Sequence, residues 1–148
     1  MSAPAADGAI AARAPALIVR VYYEDTDFSG VVYHASYLRF LERARTELLR
    51  ALGLTQSVLL QQGDGQGLAF AVRHMTIDFL KPARMDDLLE IDTAVTSVRG
   101  ASVELSQRIS RKGEVLVRAH VRIAAITSGR AVRLSTEIRQ KLCGGDAV

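Results

Sequence analysis

Asp25 and Asp27 stand in an acidic turn that follows an apolar strand pattern (Leu17 to Tyr23) and precedes an amphipathic helix expected to open near Ser36. A carboxylate beside a helix N-terminus can hydrolyse an activated acyl group. It attacks the carbonyl or activates a water, and the unpaired N–H groups of the helix end stabilise the negative charge that develops on oxygen. Asp27 is the candidate for this chemistry, because Gly30 permits close backbone approach and the helix that follows supplies oriented N–H donors. The plain alternative is that Asp27 satisfies loop amides as an Asx-turn. Asp25, nearer the strand, reads as a structural or solvated carboxylate.

Other reactive groups compete weakly. His34, seven residues after Asp27, invites an Asp/His reading, but as a helix-start residue its backbone amide is the better candidate. No serine occupies a Gly-x-Ser-x-Gly context, so a nucleophile-elbow hydrolase has no support. Cys143 is the single cysteine; nothing near it in sequence would lower its pKa, and an intramolecular disulfide is excluded. His74 and His120 lack Cys or carboxylate neighbours at ligand spacing, so no metal is expected. The Gly63–Gly67 loop is not followed by the Lys-Ser/Thr of a phosphate loop. Arg73, Lys81, Arg84 and Arg99 could contact phosphates or serve as surface charges. Glu42 and Glu47 fall on the polar side of the helix, where solvated charge is the default; Glu42 could still reach a site at a subunit boundary.

Tyr37, Phe40, Leu41, Ala44, Leu48, Ala51 and Leu52 recur at three- and four-residue steps and build one apolar stripe, with Arg39, Glu42, Arg43, Thr46, Glu47 and Arg50 opposite. Ser36 is the expected N-cap and Gly53 the stop after the last turn. Arg43 and Glu47 can pair at i,i+4. A short helix is expected over Thr55 to Gln62. Downstream the period changes to two, predicting strands over 68–80, 88–98, Val103 to Ser110 and Glu114 to Ala125. Arg99-Gly100 and Arg111-Lys112-Gly113 are the turns of antiparallel hairpins. Alternation in 68–80 switches phase, which predicts a bulge. Ser135 to Leu142 can form a terminal helix. A helix stripe of this size needs a large apolar surface, and a sheet curled around it supplies one. One helix cannot cover five strands, so dimerisation through a sheet edge is expected.

At 148 residues the length fits one domain, expected as a leader over 1–16, a folded unit over 17–142 and a tail over 143–148. The net charge of +3 is scattered and tryptophan is absent, which argues against a nucleic-acid partner and suits a small anionic one. No apolar run reaches the ~20 residues of a membrane span, and the Ala-rich start lacks the basic region of a secretory signal, so the expected location is the cytoplasm.

Arg20-Val21, then Thr26-Asp27 and Gly30-Val31-Val32 resemble the active-site signature of the 4-hydroxybenzoyl-CoA thioesterase family of hotdog proteins. Tyr33-His34-Ala35-Ser36-Tyr37, Glu42-Arg43-Ala44-Arg45-Thr46-Glu47, Pro82 to Asp87 and Ser97-Val98-Arg99-Gly100 resemble the acyl-CoA thioesterases found with the bacterial Tol-Pal envelope system. The resemblance implies an α+β hotdog fold, a long central helix wrapped by a curved antiparallel five-stranded sheet, assembled as a homodimer or homotetramer. It implies hydrolysis of an acyl-CoA thioester at a site between subunits, with Asp27 as nucleophile or general base and the His34 amide as the donor to the thioester oxygen. Gly30, Tyr33 and Arg99 are assigned to substrate binding, no cofactor is required, and an acyl carrier protein is a second candidate partner. Two rivals remain: a hotdog hydratase or dehydratase, whose Asp-x-Asn-Pro-x-His arrangement is absent, and a non-catalytic module binding an acyl carrier or envelope complex.

Overall fold

Tyr37, Phe40, Leu41, Ala44 and Leu48 line one side of a long helix and all are buried. In the computed structural model, which describes residues 14–61 and 67–144, this helix is α1 (His34–Ala51). It begins two residues before Ser36, and Tyr33 takes the N-cap position without a side-chain cap bond. Ser36 cannot cap because its buried hydroxyl donates to the carbonyl of Asp25 at 3.1 Å. At the other end Gly53 adopts φ +83°; its N–H donates to Arg50 and that of Leu54 to Leu49, the two bonds of a Schellman stop. The buried stripe differs from expectation near this end. Ala51 is exposed, while Arg45 and Leu49 are buried.

The expected Arg43–Glu47 pair does not form. Arg43 lies over the Phe40 ring at 5.9 Å, and Glu47 pairs with Arg50 at 3.3 Å. The short helix α2 spans Gln56–Gln61. Most of the Gly63–Gly67 loop, of the expected leader and of the tail lies outside the described residues. Within the leader, Ala14 packs against the core.

The strands are β1 (Leu17–Arg20), β2 (Ala69–Phe79), β3 (Leu88–Val98), β4 (Ser102–Arg111), β5 (Glu114–Thr127) and β6 (Arg130–Ala131). They form one antiparallel sheet in the order β1-β3-β4-β5-β2, with β6 on β5. The expected sheet had five strands; the sixth is a two-residue return from the end of β5. The hairpin between β4 and β5 closes through Lys112 and Gly113, both at positive φ, which matches a two-residue turn to the sheet's twist. The bulge anticipated in β2 falls between Val72 and His74. Ser135 accepts the N–H of Ile138 and caps α3 (Thr136–Leu142).

Leu89, Ile91 and Val95 of β3, Val103, Leu105 and Ile109 of β4, and Val121 and Ile123 of β5 point to the helix side and are buried. Together with α1 they make the core expected of a hotdog domain. Helix α1 packs on β1 and β3. Strand β2, at the opposite edge, contains no buried residue, and its Val72 and Phe79 are about half exposed at 47% and 48%.

Candidate active site

The site is built where the chain passes from β1 to α1. A short 3-10 turn (Tyr23–Asp25) follows the strand, and Thr26 then pairs with Val32 around a tight hairpin. Within it the Asp27 N–H donates to Val31 at 2.9 Å and the Gly30 N–H to Asp27 at 3.0 Å. Gly30 has φ +89°, and no atom outside its chain neighbours lies within 4 Å of a Cβ built there. Glycine is therefore needed for backbone conformation rather than for close approach.

Asp25 proves structural. Its carboxylate is buried and accepts the Tyr22 N–H at 2.8 Å, while its carbonyl accepts the N–H of Tyr33 and the hydroxyl of Ser36. This residue ties the end of the β1 segment to the first turn of α1.

Asp27 sits half-buried beside this junction. Its Oδ1 accepts the hydroxyl of Ser29 at 2.6 Å and the N–H of Ser29 at 2.9 Å. The Asx-turn reading is thus correct for one carboxylate oxygen; among the described residues Oδ2 has no partner. The Ser29 hydroxyl, followed by its N–H, holds the Asp27 pKa below the ordinary aspartate value, so the group is a carboxylate at neutral pH. Ser29 was not singled out from the sequence, although the Asp-x-Ser spacing of an Asx or ST turn carries the signal.

His34 is the first residue of α1, and among the described residues its backbone N–H has no acceptor. Its exposed imidazole makes no hydrogen bond among them either, and lies against Tyr33 (ring centroids 4.6 Å apart) and Phe79 (6.2 Å). The open donor at this position is thus the amide. Tyr33, half-exposed, stands at the N-cap beside it.

Arg99 is not brought to this place within one chain. It lies at the far end of β3 from Leu88, which pairs with Arg20, so about ten strand steps of ~3.3 Å separate it from the Asp27 hairpin. Its carbonyl accepts Arg139. Arg84, in contrast, bridges Val31 and is exposed. Lys81 pairs with Glu114, and Glu42 points to solvent. A cleft of about 380 Å³ opens between β1 and the polar side of α1, lined by Arg20, Tyr22, Glu24, Arg43 and Glu47 among others. It adjoins Asp25 and includes neither Asp27 nor His34, which lie on the open surface of the hairpin and at the start of α1.

Among the described residues no group of three or more His, Cys, Asp or Glu side chains gathers to hold a metal ion, and no helix is long and apolar enough to cross a membrane.

A family model described as the thioesterase superfamily matches residues 29–118. An acyl-CoA thioesterase YbgC of Haemophilus influenzae is 50% identical over 112 residues, covering 76% of this chain and 80% of the relative. An acyl-CoA thioester hydrolase YbgC of Escherichia coli is 56% identical over 91 residues, covering 62% and 65%. A probable thioesterase from Bartonella henselae superposes with a TM-score of 0.78 at 45% identity, covering 81% of this chain and 98% of that one. The family match begins just after Asp27 and runs through α1, β2, β3 and β4 into the start of β5, more than half of the chain, and on it this chain belongs to the thioesterase superfamily as a hotdog-fold enzyme.

Proposed function

We propose that the protein hydrolyses an acyl-CoA thioester to free acid and CoA, with residues 17–142 as the catalytic domain. The observation that carries this reading is the pairing of an ionised Asp27 having a free Oδ2 with the unoccupied N–H of His34 at the start of an 18-residue helix. The thioester oxygen points at that N–H, and Asp27 attacks the carbonyl or takes a proton from an attacking water. One such donor is typically worth about 2.7–4 kcal/mol in the transition state. Thiolate is a good leaving group, so the absence of an obvious general acid is tolerable. Tyr33 and Gly30 border the site on the substrate side. The names of the YbgC relatives support acyl-CoA as the substrate class.

The free edge of β2, with Val72 and Phe79 half-exposed, supports association of two copies, as a dimer or as a tetramer built from two dimers. Arg99 would meet the substrate only from a second copy. A cytoplasmic location follows from where acyl-CoA is available. A Tol-Pal connection and an acyl carrier protein partner rest on the sequence resemblance.

The test is hydrolysis of a panel of aliphatic and aromatic acyl-CoAs, followed by thiol release. Asp27→Asn should fold normally and lose activity by orders of magnitude, whereas His34→Ala should be mild because the proposed donor is main chain. Full turnover by Asp27→Asn would sink the assignment. A loss in His34→Ala as deep as that in Asp27→Asn would move the role to the imidazole. Double-bond change without thiol release would favour the hydratase reading.

A further inference from the structure

The segment from Lys81 to Asp87, between β2 and β3, runs as a strap alongside the Asp27 hairpin. The Val32 N–H donates to the carbonyl of Ala83 at 2.8 Å, and Val31 bridges Arg84. Val31 in turn accepts the N–H of Asp27. The strap is therefore the outer support of the strand that carries the candidate carboxylate.

We infer that Tyr37 is a positioning residue, whose buried hydroxyl, with the Asp87–Arg111 ion pair, keeps the Asp27 hairpin in register with the N-terminus of α1. This rests on the reading of Asp27 and the His34 amide given above. Tyr37 lies one helical turn after His34, with its ring in the core. Its hydroxyl accepts the N–H of Ala83 at 3.0 Å. Ala83 is fully buried, so without this acceptor its N–H would be left unsatisfied away from water. A continuous series of hydrogen bonds thus runs from the first turn of α1 through Tyr37, Ala83 and the Val31–Val32 strand to the backbone of Asp27.

The two ends of the strap are fixed to the sheet. At its start, the carbonyl of Leu116, the extra residue at the β5 bulge, accepts the N–H groups of both Leu80 and Lys81. At its end, the Asp87 carboxylate accepts the Arg84 N–H at 2.8 Å and Nη1 of Arg111 at 2.7 Å. Burial pushes the Asp87 carboxyl up, but the Arg84 N–H and the Arg111 guanidinium outweigh it and hold it ionised. Burial also raises the Tyr37 pKa, so its hydroxyl stays neutral at ordinary pH. With both ends held by the sheet, the Tyr37 hydroxyl is the link that refers the middle of the strap to the helix. Without it the Asp25 bonds to Tyr33 and Ser36 still hold the hairpin to α1, but the strap behind Val31–Val32 is no longer referred to the helix and the carboxylate can shift against the His34 N–H; a misplacement of about 1 Å can cost roughly a hundredfold in rate.

The test compares the full-length wild type, Tyr37→Phe, Arg111→Ala, Arg111→Lys and Asp27→Asn on one good acyl-CoA, with rates normalised to folded protein by circular dichroism. Tyr37→Phe should lower kcat by about tenfold to a hundredfold while KM stays within about twofold. The acid limb of its pH profile should not move, because Ser29, which sets the ionisation of Asp27, is untouched. Arg111→Ala should act in the same direction and Arg111→Lys should restore part of the loss. If Asp27→Asn is inactive while Tyr37→Phe keeps kcat within twofold, the positioning role is wrong and the site assignment stands. Should Tyr37→Phe fail to fold, an Arg111→Ala enzyme of normal kcat would overturn the inference in its place. If Asp27→Asn is fully active, the site assignment falls and this inference with it.

Discussion

Nη1 of Arg45 donates to Oε1 of Gln107 at 3.1 Å, and both side chains are buried between α1 and the sheet. The amide nitrogen of Gln107 donates in turn to the Leu41 carbonyl at 3.0 Å and to Oγ1 of Thr93 at 2.9 Å. Burial drives the pKa of Arg45 down, with Glu42 opposing, and an arginine guanidinium keeps its proton even so. A charge is thus held in the core by a neutral amide, which ties the middle of the helix to β3 and β4.

Gln107→Leu should cost about 3 kcal/mol, because it strands a buried guanidinium and leaves the Thr93 hydroxyl without its donor. Urea unfolding measures this. The double variant Arg45→Met with Gln107→Leu should regain most of the loss, since both polar groups are then gone. A double variant no more stable than the single one would show that packing, and not the polar pair, sets the cost.

The Ser29 hydroxyl is the largest cause of the lowered Asp27 pKa. Activity that needs the carboxylate should persist below the ordinary aspartate pKa and fall only as pH drops through the depressed value. Ser29→Ala removes that hydroxyl, so the acid limb of the kcat/KM profile should move to higher pH. The sign is the same for folding: the contribution of Asp27 is present above the unfolded pKa and fades as pH falls through the folded one. An acid limb that does not shift would mean that Asp27 ionisation does not govern the rate.

Gly53→Ala should destabilise the fold by about 1 kcal/mol. The cause is φ +83° and not crowding, because the nearest atom to an added Cβ is the flexible end of Lys141, at 3.4 Å. Chemical denaturation should show a lower midpoint with an unchanged slope. A shift below a few tenths of a kcal/mol would mean that the Schellman stop relaxes freely.

Local patterns were readable wherever one interaction decides the geometry. The three- and four-residue spacing of Tyr37 to Leu48 placed α1, the phase switch within 68–80 announced the β2 bulge, and Gly53 placed the helix stop. The N-cap was misjudged by three residues, Tyr33 in place of Ser36, because Ser36, a good N-cap by type, spends its hydroxyl on Asp25, eleven residues away in sequence. Arg43 left Glu47 for the face of Phe40 on similar grounds, since exposed i,i+4 pairs contribute only a few tenths of a kcal/mol.

The amino-acid sequence alone determined that Asp27 would stand between a strand and a long helix, with Gly30 to turn the chain. Those are consequences of residue type and short spacing, which act within a few residues. The tertiary structure decided which carboxylate is buried, that Ser29 occupies one oxygen of the other, that the His34 N–H is left open, and that Arg99 lies at the far end of the sheet. It also brought Tyr37, Ala83, Asp87 and Arg111 to bear on one hairpin. Residues 46 and 24 apart meet there only because antiparallel pairing and the burial of α1 fold the chain back on itself.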